Sequence, residues 1–127
     1  FQLTHYKASW VNCEGWPEPV WPGVCDGGRA WERQDLERFY APWLALARRG
    51  VGVHCGDGGA FNHTPHGVVL CWLRDVLELL TAHHIGFALW NFRGAFGVLD
   101  SGRADTKYED WHGRQLDREL LELLREF

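Results

Sequence analysis

No CxxC pair occurs in this 127-residue sequence; its four cysteines, Cys13, Cys25, Cys55 and Cys71, stand apart. That spacing excludes a zinc ribbon or a dithiol redox motif, and four cysteines are few for a disulfide-stapled scaffold. Cys13 and Cys25 share one loop-like segment and could be bridged, but buried free thiols are the plainer reading. No apolar run approaches the roughly 20 residues that cross a bilayer. The opening FQLTHYKASW has no basic cluster followed by an apolar core, so neither a membrane partner nor a signal peptide is expected. A signal already removed would leave no trace, so the sequence assigns no compartment. Basic excess is missing too: 13 Lys and Arg face 17 Asp and Glu, for a net charge of -4. With the basic residues scattered, nucleic acid is not an expected partner.

What is present is apolar and aromatic. The length fits one domain, and a 46% hydrophobic composition can bury a core. Eight tryptophans are the unusual figure, and Trp10, Trp16, Trp21 and Trp31 fall in segments without helix or strand periodicity. Exposed flat rings stack on apolar surfaces, of which a sugar face is one.

Residues 1–32, with Pro17, Pro19, Pro22 and many glycines, read as an aromatic-rich irregular loop region. From Arg33 the pattern changes to alternating helix and strand. Leu36, Phe39, Tyr40, Trp43, Leu46 and Ala47 recur at helical spacing, with Asp35 in the first turn, Arg48 and Arg49 in the last, Gly50 as a stop and Pro42 inside. Residues 51–55 are then a short strand, with Gly56, Gly58 and Gly59 turning the chain. Thr64 and Pro65 read as an N-cap and a first helical residue, opening a helix that carries Val69, Leu70, Trp72, Leu73, Val76, Leu77 and Leu80 and ends at His83, His84 and Gly86. Residues 85–92, IGFALWNF, form a second strand of the continuous apolar kind found in parallel sheets. A Gly/Asp-rich loop spans 93–105, and 116–124 closes the chain as a helix. The alternation predicts an α/β fold with a parallel sheet and crossover helices. Two or three strands are too few to stand alone, so their edges should be met by other chains.

In such folds chemistry sits at the carboxyl ends of the strands. By two-residue alternation Asp57 shares a face with Cys55, Val53 and Val51, while His54 is expected to face the helix layer. Trp90 shares its face with Ala88 and Gly86, and Ile85, Phe87 and Leu89 take the helix side. A carboxylate and an indole thus converge on one crevice, which suits a sugar-processing pair, with Asn91 following the indole. The plain alternative for Asp57 is an acid accepting hydrogen bonds from its own turn; for Trp90 it is core packing. A metal-dependent hydrolase around His54, His63 and His66 is a further alternative, weakened because His63 and His66 straddle a helix start and do not stand at i and i+4. No metal and no cofactor are expected.

Three segments in order resemble glycoside hydrolase family 5, the cellulase-type (β/α)8 barrels. FQLTHYKASWV is similar to the loop after that family's sixth strand, VGVHCGDGGAF to its seventh strand and nucleophile motif, and IGFALWNFRGAFGVLDSGRADTKYEDWHGRQLDRELLELL to its eighth strand, the following loop and the last helix. The resemblance implies a single partial-barrel domain over 1–127, built from the last β/α units. It places Asp57 at the nucleophile position, Trp90 at the sugar platform and His5 among the sugar contacts, with Trp10, Trp16 and Trp21 as looser aromatic subsites. It implies hydrolysis of β-linked glucan or a glucoside, with a non-catalytic carbohydrate-binding or assembly fragment as the alternative.

Two departures follow from the same comparison. The family nucleophile is Glu where this chain has Asp57. The family's general acid/base precedes the matched region, so a second carboxylate would have to come from Asp26, Glu18, Glu32, Asp100 or another subunit. Retaining hydrolysis wants the two carboxyl groups about 5–5.5 Å apart. Completing the barrel by oligomerisation, most simply as a dimer, is the corresponding expectation for quaternary structure.

Overall fold

The computed structural model of the protein describes residues 19–24 and 30–127. A small antiparallel hairpin, β1 (Gly23–Val24) with β2 (Ala30–Trp31), precedes α1 (Arg33–Arg48). Next come β3 (His54–Gly58), α2 (His66–Ala82) and β4 (Gly86–Leu89), with β3 and β4 paired in parallel across the helix. A second hairpin, β5 (Tyr108–Trp111) with β6 (Arg114–Asp117), leads into α3 (Arg118–Arg125). The architecture is mixed α/β, and β3–β4 is the one parallel strand pair among the described residues.

The helices form where the apolar period predicts them, because each offers a stripe the core can cover. α2 is the centre: Val69, Trp72, Leu73, Val76, Leu77, Leu79 and Leu80 are buried, and it meets α1, α3 and β4. Leu36 and Leu44 come in from α1, Leu120 and Leu123 from α3, and Val98, Leu99 and Leu116 close the remaining side. Pro42 lies inside α1, which continues to Arg48.

Several sequence expectations need correction. The first strand lies three residues later than 51–55, because residues 51–53 lead into it unpaired. The second stops at Leu89, although the Trp90 N–H still donates to the Gly58 carbonyl at 2.8 Å. α2 opens at His66 with Pro65 as its cap residue, so Thr64 is a buried loop residue and no N-cap. The Asp105 carboxylate supplies the capping contact instead, accepting from the His66 N–H at 2.6 Å. Leu116 belongs to β6, not to the last helix, which starts at Arg118 with Asp117 accepting from the Leu120 N–H at 3.0 Å. Cys71 is exposed and Cys55 half-buried, both as free thiols, against the expectation of buried ones. Cys13 and Cys25 lie outside the described residues.

The side-chain alternation along β3 also differs from expectation. Val53 and Cys55 pack against the helical core, while His54 is exposed and lies across from Gly86. A Cβ built on Gly86 would come 2.7 Å from the His54 Nδ1 atom, so the imidazole lies directly over this glycine. His54 therefore occupies the side of the sheet away from the helices, where the alternation rule had placed Asp57's partners. β4 follows the rule: Ile85 is buried, Phe87 and Leu89 pack on the core, and Gly86 is exposed.

Candidate active site

What rescues Asp57 is a bulge. Cys55 pairs with Phe87 and Gly58 with Leu89, so three steps along β3 match two along β4. The extra residue breaks the alternation and re-aims a side chain, a recurrent arrangement beside active sites. Asp57 itself takes φ 55, a left-handed conformation that Asp tolerates better than most residues. Although it shares parity with the core-packed Cys55, Asp57 is exposed. It makes no hydrogen bond or ion pair among the described residues, which removes the plain reading of an acid satisfied by its own turn. Gly58, next in sequence, lies against the Phe87 ring, which a Cβ there would strike at 2.2 Å. The sequence GDGG thus meets two demands, a close strand approach at Gly58 and an open carboxylate at Asp57.

Trp90 stands at the end of the neighbouring strand, 59% exposed. The Phe96 ring stacks beside it with centroids 5.7 Å apart and planes 25° apart. Phe96 also lies over the turn after Asp57, with its Cβ 3.6 Å from where a Cβ on Gly59 would be. Asn91 is half-buried, and its Oδ1 is enclosed without a hydrogen-bond partner. Phe92 is exposed. The pairing of β3 with β4 therefore sets Asp57, Trp90 and Asn91 at neighbouring strand ends.

Other predicted site residues are not brought there. Trp21 is a core residue, 8% exposed, whose indole N–H donates to Asp75 on α2 at 2.8 Å; a ring so covered offers no face to a sugar. His5, Trp10 and Trp16 lie outside the described residues, as do the candidate acids Glu18 and Asp26. Glu32 is the N-cap residue of α1, and no hydrogen bond or ion pair among the described residues links it to Asp57. Asp100 accepts from the Gln115 N–H at 2.9 Å and from the Arg93 side chain at 2.6 Å. These bonds, with Arg114 nearby, hold its carboxyl below the usual range, so it is an anion and a poor proton donor. The metal alternative fares no better. His66 is buried with its Nε2 2.9 Å from Asp117, and no three His, Cys, Asp or Glu groups converge as metal ligands among the described residues.

Two loops flank the site, residues 59–65 after β3 and 90–107 after β4, and a buried cation ties them. Arg103 is 3% exposed and donates to the carbonyls of Thr64, Ala60 at 3.2 Å and Phe61 at 3.4 Å. Burial lowers the pKa of its guanidinium, and the charges of Asp105 and Asp117 oppose that. Asn62 donates to the Ser101 carbonyl at 2.6 Å, and the Tyr108 hydroxyl joins Ser101 and the Arg103 backbone. Sequence reasoning passed over Arg103, Phe61 and Phe96, since none belongs to a periodic segment; the repeated GAF in GGAF and RGAF was the available signal.

The chain matches no protein-family model and no curated protein. Solved structures do match it. One described as a glycoside hydrolase is 41% identical with a TM-score of 0.84, over 97% of this chain and 37% of its own. A hyperthermophilic endo-β-1,4-glucanase, crystallised with substrate, is 20% identical with a TM-score of 0.64, over 96% and 35%. Cel5A from Thermotoga maritima, crystallised with cellobiose, is 24% identical with a TM-score of 0.65, over 95% and 35%. The last two carry information on fold alone. The chain thus spans a little over a third of the length of the structures it matches. In sequence, at 41% identity, this chain is similar to part of a glycoside hydrolase, and in fold it is similar also to a partial stretch of endoglucanase structures.

Proposed function

We propose that this chain supplies the nucleophile side of a glycoside hydrolase site acting on β-linked glucan. The carrying observation is the juxtaposition of an unpaired, exposed Asp57 and a 59% exposed Trp90 at the carboxyl ends of two paired parallel strands. In this reading Trp90 is the floor on which a pyranose stacks, with Asn91 beside it at the strand end. Asp57 attacks the anomeric carbon, or stabilises the positive charge that develops there. Being one methylene shorter than the family's Glu, Asp57 starts further from that carbon, which lowers the rate unless the bulge carries its backbone forward.

Asp100 is not the proton donor in this reading, since it is committed to Arg93 and Gln115. That observation favours a second reading, a carbohydrate-binding portion whose catalytic partner lies in other polypeptide. We further propose that the open edges of β3 and β4 are met by further strands, most simply from a second copy. Supporting this is a cleft of about 440 Å³ beside β3, lined by Tyr40, Trp43, Leu46, Val51, Val53 and Ile85 among others.

Hydrolysis of carboxymethyl-cellulose and of an aryl β-glucoside, compared between wild type and Asp57→Ala, tests the catalytic reading. Turnover lost in the variant by at least about 10²-fold is the expected result. Equal rates would remove Asp57 from catalysis, and sugar binding without turnover in the wild type would favour the binding portion.

A further inference from the structure

The rings around Trp90 pack on one another, and that packing constrains the indole. Phe96 and Trp90 are nearly parallel, with centroids 5.7 Å and planes 25° apart. Rings so close and so nearly parallel cannot lie edge to edge in one plane, so Phe96 is offset over one face of the indole. Trp90 is nevertheless 59% exposed, so its open surface is on the side away from Phe96.

The chain between the two rings is shaped to bring Phe96 back. Phe96 sits in the turn GAFG, whose Gly97 N–H donates to the Gly94 carbonyl at 2.8 Å. The Phe92 carbonyl then accepts from the N–H groups of Val98 and Leu99 at 3.0 and 3.1 Å. A Cβ on Gly97 would strike that same carbonyl, so the return of the chain past Phe92 requires glycine. On its other side Phe96 meets Phe61, with centroids 5.5 Å apart and planes at 45°. Phe61 belongs to the loop after β3, which the buried Arg103 holds by the carbonyls of Ala60, Phe61 and Thr64. Phe96 is thus set between a braced ring and an exposed one.

An exposed tryptophan at a strand end has side-chain torsions to lose, and freezing them when a ligand arrives subtracts from affinity. An indole already stacked on one face loses less. We infer that Phe96 is a positioning residue for Trp90: it sets the tilt of the indole and directs the pyranose to the opposite face. The inference rests on the glucan reading of the site and specifies which face of the platform the sugar meets. Phe96 acts through Trp90 and has no sugar contact of its own.

Calorimetric titration of the full chain with cellotetraose provides the test. Phe96→Leu keeps an apolar side chain in the turn but no flat ring, and should bind about three- to tenfold more weakly than wild type. Phe96→Tyr keeps the ring and should bind as wild type does. Trp90→Ala removes the platform, so adding Phe96→Leu to it should cost nothing further, the non-additivity expected of residues that act as a unit. Wild-type affinity in Phe96→Leu, an equal loss in Phe96→Tyr, or the same loss repeated in the Trp90→Ala background would each overturn the positioning role while leaving the glucan site standing. Should the wild type not bind cellotetraose, the glucan reading itself falls and the role of Phe96 with it.

Discussion

At the scale of single residues, charge and backbone conformation decide more than residue type. Asp57 and Asp100 are both aspartates at positive φ, 55 and 48 respectively, yet one is free of partners and the other is held by two hydrogen bonds and two arginines. Of these two, Asp100 is the acid whose ionisation is linked to folding. Its folded pKa is lowered, so its stabilising effect is present above the ordinary carboxylate range and is lost as pH falls through the lowered value. Asn keeps the shape and tolerates the same φ. Asp100→Asn should accordingly melt below wild type near pH 7, with the gap closing as pH drops below about 4. Melting temperatures of both proteins between pH 7 and 2 measure this; parallel curves would show that the Arg93 and Gln115 bonds do not carry the linkage. None of this was legible in the sequence, where Asp100 read as one more acid in a Gly-rich loop. The placement of Asp57 and Trp90 at neighbouring strand ends was legible because short strand-like runs lead up to both. That of Trp21 was not, because a tryptophan between prolines gives no sign of whether an aspartate on a distant helix will bond to its indole.

At the scale of elements, what repeats was readable and what turns was not. α1 and α2 run 16 and 17 residues, long enough for the 3.6-residue period to declare itself, and they begin and end near the expected positions. β3 was misplaced because its bulge spoils the two-residue period that strand reading relies on. The β5–β6 hairpin was missed for a different reason. Its two-residue turn is His112-Gly113, with φ 53 and 76, the geometry of a type I′ turn, but His in place of Asn or Asp hides the usual signal. Gly113 isolates the conformational term, since a Cβ there would meet nothing within 4 Å. Gly113→Ala should therefore destabilise the protein by about 1–2 kcal/mol through backbone strain alone. Urea unfolding with an unchanged m-value would register it, and a variant as stable as wild type would mean the turn relaxes out of the left-handed region.

At the scale of the molecule, incompleteness is the governing fact. The chain covers 35–37% of the structures it resembles, and several large apolar side chains are exposed. Trp43 and Val51 line the cleft beside β3, and Trp90 and Phe92 stand at the end of β4. Patches of this kind mark surfaces that meet something. Light scattering at micromolar concentration should therefore give a mass of two chains or more, and a compact monomer would remove self-association as the means of completing the sheet. Sequence and structure agree at this scale on the α/β fold class.

The parallel pairing of β3 with β4 has one more consequence, in the exchange of backbone hydrogens with solvent. Within each strand the amides directed at the partner strand are protected, whereas those on the outer edge face water among the described residues. Slow and fast exchange should thus alternate residue by residue along both strands, with the bulge marking a break in the rhythm. Any strand that docks on either edge converts the fast half of one strand to slow and leaves the other strand untouched. The isolated pair thus carries its own label for which side has been filled.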